Sequence, residues 1–266
     1  MPFAWRLVTG SLVAAAIVVV ARKRGSLSTS GAATALALGT ICSAAGWGWA
    51  ALLIGFFVSG TLLSKFKVDR KAARTSGVVA KGGNRDAWQV LANGGVFSAA
   101  AALSLIHPSP AWVCIGAGAI GAAAADTWAT EIGVLSSHAP RSIISWKPVI
   151  TGQSGGVTLA GTLAGVTGAI AVAVIAFVAG WGETAAIAAI IGGISGTTVD
   201  SVLGAALQIR RWCDQCNTMT ERNVHDCGTK TRAVGGLSWL DNDAVNAVST
   251  AFGALLGFLC TFAIRF

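Results

Sequence analysis

Asp126 and Glu131 stand in AAAADTWATEIG (122–133), among residues that otherwise suit a lipid interior. Asp200 stands in a similar stretch, GISGTTVDSVLGA (193–205). An acid at bilayer depth costs on the order of 3 kcal/mol, so such residues mark function. Their hard oxygens suit Mg²⁺. Two further segments suit phosphate. KGGNRDAWQVLANGG (81–95) places Lys81, Gly82, Gly83 and Arg85 at the mouth of a helix, with Asn93 about a turn within. TGQSGGVT (151–158) places Gly152, Ser154, Gly155 and Gly156 before another, where free backbone N–H groups can hold an anion; a flexible turn reads equally well. A third segment, LDNDAVN (240–246), opens the last apolar run. There Asp241 or Asn242 can cap a helix and Asp243 can answer its dipole, but capping leaves the amide of Asn246 unexplained. Carboxylates beside phosphate-holding loops form the donor set that Mg²⁺ and a phosphorylated substrate require.

A separate constellation lies in WCDQCNTMTERNVHDCG (212–228). Cys213 and Cys216 form a C-x₂-C pair, followed by His225 and Cys227 as H-x-C. In a reducing inner loop this reads as a structural Zn²⁺ site better than as disulfides. The plainer alternative is a set of free thiols beside a loop histidine. Cys42, Cys114 and Cys260 fall in apolar runs and read as packing residues.

The elements that must position these groups are membrane helices. The chain is 54% hydrophobic and 11% charged, far below the roughly 25% charged of a soluble domain. The expected fold is all-α: a polytopic transmembrane bundle of about eight helices, six to eight being possible, forming one integral-membrane domain over 1–266. The spans are 3–21, 31–45, 47–64, 89–106, 111–135, 157–179, 184–208 and 244–264. Residues 31–64 can instead form a re-entrant hairpin. The first span precedes its basic cluster and shows no A-x-A site, so it reads as a retained helix and not a signal peptide.

With the N-terminus outside, the inner loops are 22–30, 65–88, 136–156 and 209–243, the last carrying the cysteines. They hold every Lys and Arg except Arg6 and Arg265, which explains the net charge of +8 by the positive-inside rule. Nucleic acid is not an expected partner, because no binding motif accompanies the charge. Trp5, Trp47, Trp49, Trp112 and Trp181 fall near the outer boundary and Trp88, Trp146, Trp212 and Trp239 near the inner one, as aromatic belts. Gly161/Gly165 and Gly192/Gly196 have the spacing of close helix packing.

Spans 111–135 and 184–208 then run in the same direction, with Asp126 and Asp200 each roughly 23 Å from the outer start. Carboxylates on parallel helices at one depth can share an ion. Glu131 is about 140° around the helix from Asp126, so either it faces a second cavity or the helix breaks near Gly133.

The sequence resembles the bacterial, archaeal and plastid integral-membrane family that includes plant phytyl-phosphate kinase of vitamin E synthesis. GSLSTSGA (25–32), AWQVLANGG (87–95), ADTWATEIG (125–133), TGQSGGVTLAGT (151–162), DSVLGA from Asp200 and LDNDAVN carry the resemblance over nearly the whole chain. It implies transfer of a nucleotide γ-phosphoryl group to an isoprenoid monophosphate, such as phytyl or geranylgeranyl phosphate, giving the diphosphate. Related phytol and dolichol kinases favour CTP as donor. No Walker A motif and no kinase HRD motif is present. Combined with the residues above, the expectation is Mg²⁺ on Asp126, Glu131 and Asp200. Lys81, Arg85, the 152–156 loop, Asn242 and Asp243 would meet phosphate, with Asn93 and Asn246 orienting the acceptor or the metal shell. The expected setting is a prokaryotic plasma membrane with a cytoplasmic catalytic face. The rival function is an ion-coupled transporter or lipid-phosphate flippase, which also uses intramembrane carboxylates. Transporters more often place broken helices at mid-membrane, whereas these candidates gather toward one interface.

Overall fold

A computed structural model describes residues 3–75, 77–79 and 83–263. Its long helices are α1 (Phe3–Lys23), α2 (Thr29–Ala45), α3 (Trp47–Lys65), α5 (Ala87–Ile106), α6 (Ala111–Gly133), α7 (Leu159–Val178), α8 (Gly182–Ala206) and α9 (Asn242–Ala263). Each coincides with one expected span. A short helix, α4 (Val68–Thr75), lies in the loop after α3 and was not foreseen. Helices α1, α3, α5, α7, α8 and α9 are long and apolar enough to cross a membrane, and α2 is shorter at 17 residues.

Side chains and backbone turns set the helix ends. Ser28 caps α2 by accepting the Gly31 N–H at 3.1 Å, and Thr158 caps α7 by accepting the Gly161 N–H at 3.0 Å. Asp86 and Gln89 form a reciprocal capping box on α5. Between α2 and α3 the chain turns on Gly46 alone, at φ +154°. A Cβ there would lie 3.8 Å from Arg6 near the start of α1, and one on Gly48 would lie 2.5 Å from Trp181 at the α7–α8 turn. Residues 31–64 therefore run the full length of the bundle; a re-entrant hairpin would turn halfway.

Helix α6 is the hub, packed against α3, α5, α7, α8 and α9. From Gly116 to Ala125 it is buried on every side. Lipid supplies little hydrophobic drive between helices, so close backbone contact must hold them together. Small residues make that contact possible. A Cβ on Gly118 would fall 2.1 Å from the Gly253 carbonyl oxygen, and one on Gly121 would fall 2.4 Å from that of Ala189. Gly118 faces Gly192 and Ala122 faces Gly196. Both pairs share one offset, which makes α6 and α8 parallel and in register. One turn further on, that register brings Asp126 to Asp200.

The connections that carry most of the basic residues gather at one end. Ser28 N–H donates to Arg85 O and Arg85 N–H to Ser26 O, at 3.0 and 3.1 Å. Glu221 N–H donates to Val78 O at 2.9 Å. Two small antiparallel sheets lie in these connections: β1 (Arg141–Ser142) with β2 (Gly156–Val157), and β3 (Arg210–Cys213) between β4 (Thr218–Thr220) and β5 (Arg232–Gly235). Strands of two to four residues are too short for a readable period, and none was expected from the sequence.

Candidate functional site

Asp126 comes from α6 and Asp200 from α8, and their carboxyl groups meet, as the shared register requires. Thr197 lies beside the Asp126 carboxyl group, and Ser249 of α9 lies beside that of Asp200. Asp200 Oδ2 is buried with no hydrogen-bond partner among the described residues. Two adjoining carboxylates, one with an orphaned oxygen, are a donor set that a hard cation satisfies, so the pair fits Mg²⁺.

The pair lies on a cavity of about 410 Å³ lined by α6, α7, α8, the 151–158 loop, Glu221 and Asn242. Glu221 is a third acid here that sequence reasoning missed. It lies inside the cysteine–histidine motif, remote in sequence from the other two acids, and nothing in that motif marks it as a cavity residue. Burial pushes its carboxyl above the usual range, while hydrogen bonds from Ser154 and Gln208 pull it back. The described lining contains three carboxylates and no Lys or Arg. Such a cavity repels phosphate until a cation enters it.

The TGQSGG loop lies at the cavity, with Gly152, Ser154, Gly155 and Gly156 all in its wall. Its N–H groups are less free than the sequence suggests. Ser154 N–H donates to Glu221 Oε1 at 3.0 Å, Gly156 N–H to Gln153 O at 3.1 Å and Gln153 N–H to Ile150 O at 3.1 Å. Gly155 has φ +77°, and a Cβ there would fall 2.4 Å from the Ala205 amide nitrogen. Gly155→Ala is therefore expected to lift the loop off α8 and raise the KM for a phosphate ligand, by about tenfold, while the bundle stays folded. Steady-state kinetics beside a thermal melt checks this.

At the start of α9 the structure resolves the capping question. Asp241 accepts the Ala244 N–H at 3.0 Å, which leaves Asn242 to line the cavity. Asp243 and Asn246 are half-buried farther along the helix, outside the cavity lining.

Glu131 departs from the expected metal group. Helix α6 continues through Gly133 without a break, so Glu131 points away from Asp126 and forms an ion pair with Lys71 of α4. Lys71 Nζ also donates to Leu63 O at 2.6 Å. Arg85 and Asn93 lie on that other side of α6 too. They line an apolar cleft of about 100 Å³ between α1, α2, α3 and α5, with Thr127. The Arg85 guanidinium sits 5.8 Å from the Phe57 ring centre; burial lowers its pKa and the Glu131 charge opposes that. Asn93 donates to Gln89 O at 2.9 Å. These three residues brace helices and do not face the carboxylate pair. Gly83 is exposed at φ +89° in the segment leading to Arg85, and Lys81 and Gly82 lie outside the described residues.

Lys71→Met leaves the half-buried Glu131 without its partner and is expected to cost about 1–2 kcal/mol of stability. Adding Glu131→Leu should recover most of it. Thermal melts of the single and double variants in detergent provide the check, and any response to Mg²⁺ should be unchanged in both.

Cys213, Cys216, His225 and Cys227 come together, their ligand atoms all within 4.8 Å of one another. None of the six cysteines forms a disulfide.

Sequence comparisons extend the picture. The Arabidopsis thaliana Protein PGR is 31% identical, over 95% of this chain and 95% of its own length. An uncharacterised membrane protein of Methanocaldococcus jannaschii is 28% identical over 96% of this chain and 95% of its own. Another, from Synechocystis, is 25% identical over 91% of this chain and 84% of its own. No solved structure matches. The profile described as Integral membrane protein DUF92 spans residues 12–254, including the paired aspartates, the Gly-rich loop and the cysteine-bearing connection, and the chain belongs to that family.

Proposed function

We propose that the protein is a membrane-embedded kinase that moves a nucleotide γ-phosphoryl group, preferably from CTP, onto an isoprenoid monophosphate. The observation that carries this is the Asp126–Asp200 pair on a cavity at the end of the bundle where the basic connections gather. Asp126 and Asp200 would hold Mg²⁺, which supplies the charge neutralisation that phosphoryl transfer chiefly needs. Thr197 and Ser249, beside these carboxylates, would help to orient them. Glu221, from the third side, would bind metal-bound water or hold the Ser154 loop.

An oxygen of the acceptor monophosphate attacks the γ-phosphorus, the bond to the β-phosphoryl oxygen breaks, and nucleoside diphosphate leaves. The acceptor is already ionised near neutral pH, so no strong base is required. That agrees with a cavity whose described lining holds no histidine. The cavity wall also includes Val166 of α7 and Ile194 of α8, and Ile194 is exposed at the surface of the bundle. An isoprenoid tail would leave along this crevice, with its phosphate toward the carboxylates. We place the cavity end in the cytoplasm, where the basic connections belong by the positive-inside rule and nucleotides are found.

The test is radiolabel transfer from γ-labelled nucleotide to geranylgeranyl monophosphate by purified protein. Mg²⁺-dependent isoprenoid diphosphate supports the kinase. Its absence, together with proton- or Na⁺-coupled uptake in proteoliposomes, would assign the carboxylates to transport instead.

A further inference from the structure

We infer that Cys213, Cys216, His225 and Cys227 bind one Zn²⁺, and that this ion holds Glu221 in the wall of the carboxylate cavity. In a tetrahedral site with Zn–S near 2.3 Å and Zn–N near 2.0–2.1 Å, sulfurs lie about 3.8 Å apart and sulfur and nitrogen about 3.5 Å apart. Cys213 Sγ and Cys227 Sγ are 3.6 Å apart, and His225 Nδ1 is 3.4 Å from Cys227 Sγ. Four ligands occupy four vertices, so the site is closed and structural.

The ion would act through the chain between its ligands. Glu221 lies between Cys216 and His225, and Thr220 just before it is buried in β4. Two contacts tie this turn to the segment after α4: Glu221 N–H to Val78 O at 2.9 Å and Arg222 Nε to Val79 O at 2.8 Å. His225 Nε2, on the far side of its ring from Cys227, faces Gly77, where a Cβ would come within 2.6 Å. From this platform the Glu221 carboxylate accepts the Ser154 N–H. The ion thus cross-links the connection whose contacts reach both residues 77–79 and Ser154. A reduced, metal-free loop pays more entropy to hold Glu221 in place. Glu221 is a positioning residue in this scheme, and the site stands whether or not the kinase reading does.

The full-length protein, purified without chelator, should contain about one zinc per chain by plasma mass spectrometry. Co²⁺ exchanged into it should show tetrahedral d–d absorption and sulfur-to-cobalt charge transfer. Cys227→Ser should lose the metal and His225→Cys should keep it. Absence of zinc in a monodisperse wild-type sample, with no cobalt spectrum, would overturn the site without any variant having to fold. Hydrogen exchange reads the second half. Chelation should speed exchange across 151–156 and 218–222 by about tenfold or more and leave the middle of α6 and α8 protected. Unchanged exchange at Ser154 and Glu221 after zinc removal would overturn the positioning role.

Discussion

Asp200→Asn is expected to lower Mg²⁺-dependent phosphoryl transfer by about 10³-fold or more in protein that still inserts and folds. Asp126→Asn should do the same, since the two carboxyl groups meet and would share one ion. Binding can be separated from turnover. Mg²⁺ at a hundred times its dissociation constant stabilises a one-site protein by about 2.7 kcal/mol, which a thermal melt detects. The wild type should show that shift and neither variant should. In chelator the order reverses, because without a cation two buried carboxylates in contact disfavour each other. Each Asn variant should then melt no lower than the wild type. Full turnover, or an undiminished Mg²⁺ shift, in folded Asp200→Asn would remove the metal site.

The other large effect is on the fold. Gly118→Val should yield no monodisperse protein, with a stability loss of about 3 kcal/mol or more. A Cβ there meets the Gly253 carbonyl oxygen at 2.1 Å, and Gly192 closes in from α8 with its own Cβ position 2.6 Å from the Gly118 Cα. Backbone cannot rotate away as a side chain can. Gly95→Val on α5 is the control, because a Cβ there lies 3.8 Å from Leu91 and fits. Size-exclusion profiles of the two variants provide the comparison. Equal yield and equal melting would show that close contact of α6, α8 and α9 does not hold the bundle together.

Much of this was legible in sequence because the lipid setting constrains it. Span length, the placement of Lys and Arg and the cost of buried acids are strong signals, and they located all eight long helices and the Asp126–Asp200 meeting. The periodicity of α6 also gave warning about Glu131, which is about 140° from Asp126 and pairs with Lys71 in the structure. Its partner was not readable, since α4 is a short charged helix in a loop with no apolar stripe to announce it. Arg85 misled for a similar reason. KGGNR looks like a phosphate loop, yet the guanidinium turns into the α3–α6 interface beside Phe57 and Gly60. Glu221 was invisible because only the docking of the cysteine-bearing connection on residues 77–79 and 154 brings it to the cavity.

The measurement to make first uses purified protein in detergent with Mg²⁺, phytyl or geranylgeranyl monophosphate, and CTP, ATP, UTP and GTP in turn, with isoprenoid diphosphate as the readout. Product is expected with CTP above the other donors, dependent on Mg²⁺ and abolished in Asp126→Asn. No product with any donor, from protein shown to be folded, would rule out the kinase and leave the paired aspartates as a coupling-ion site.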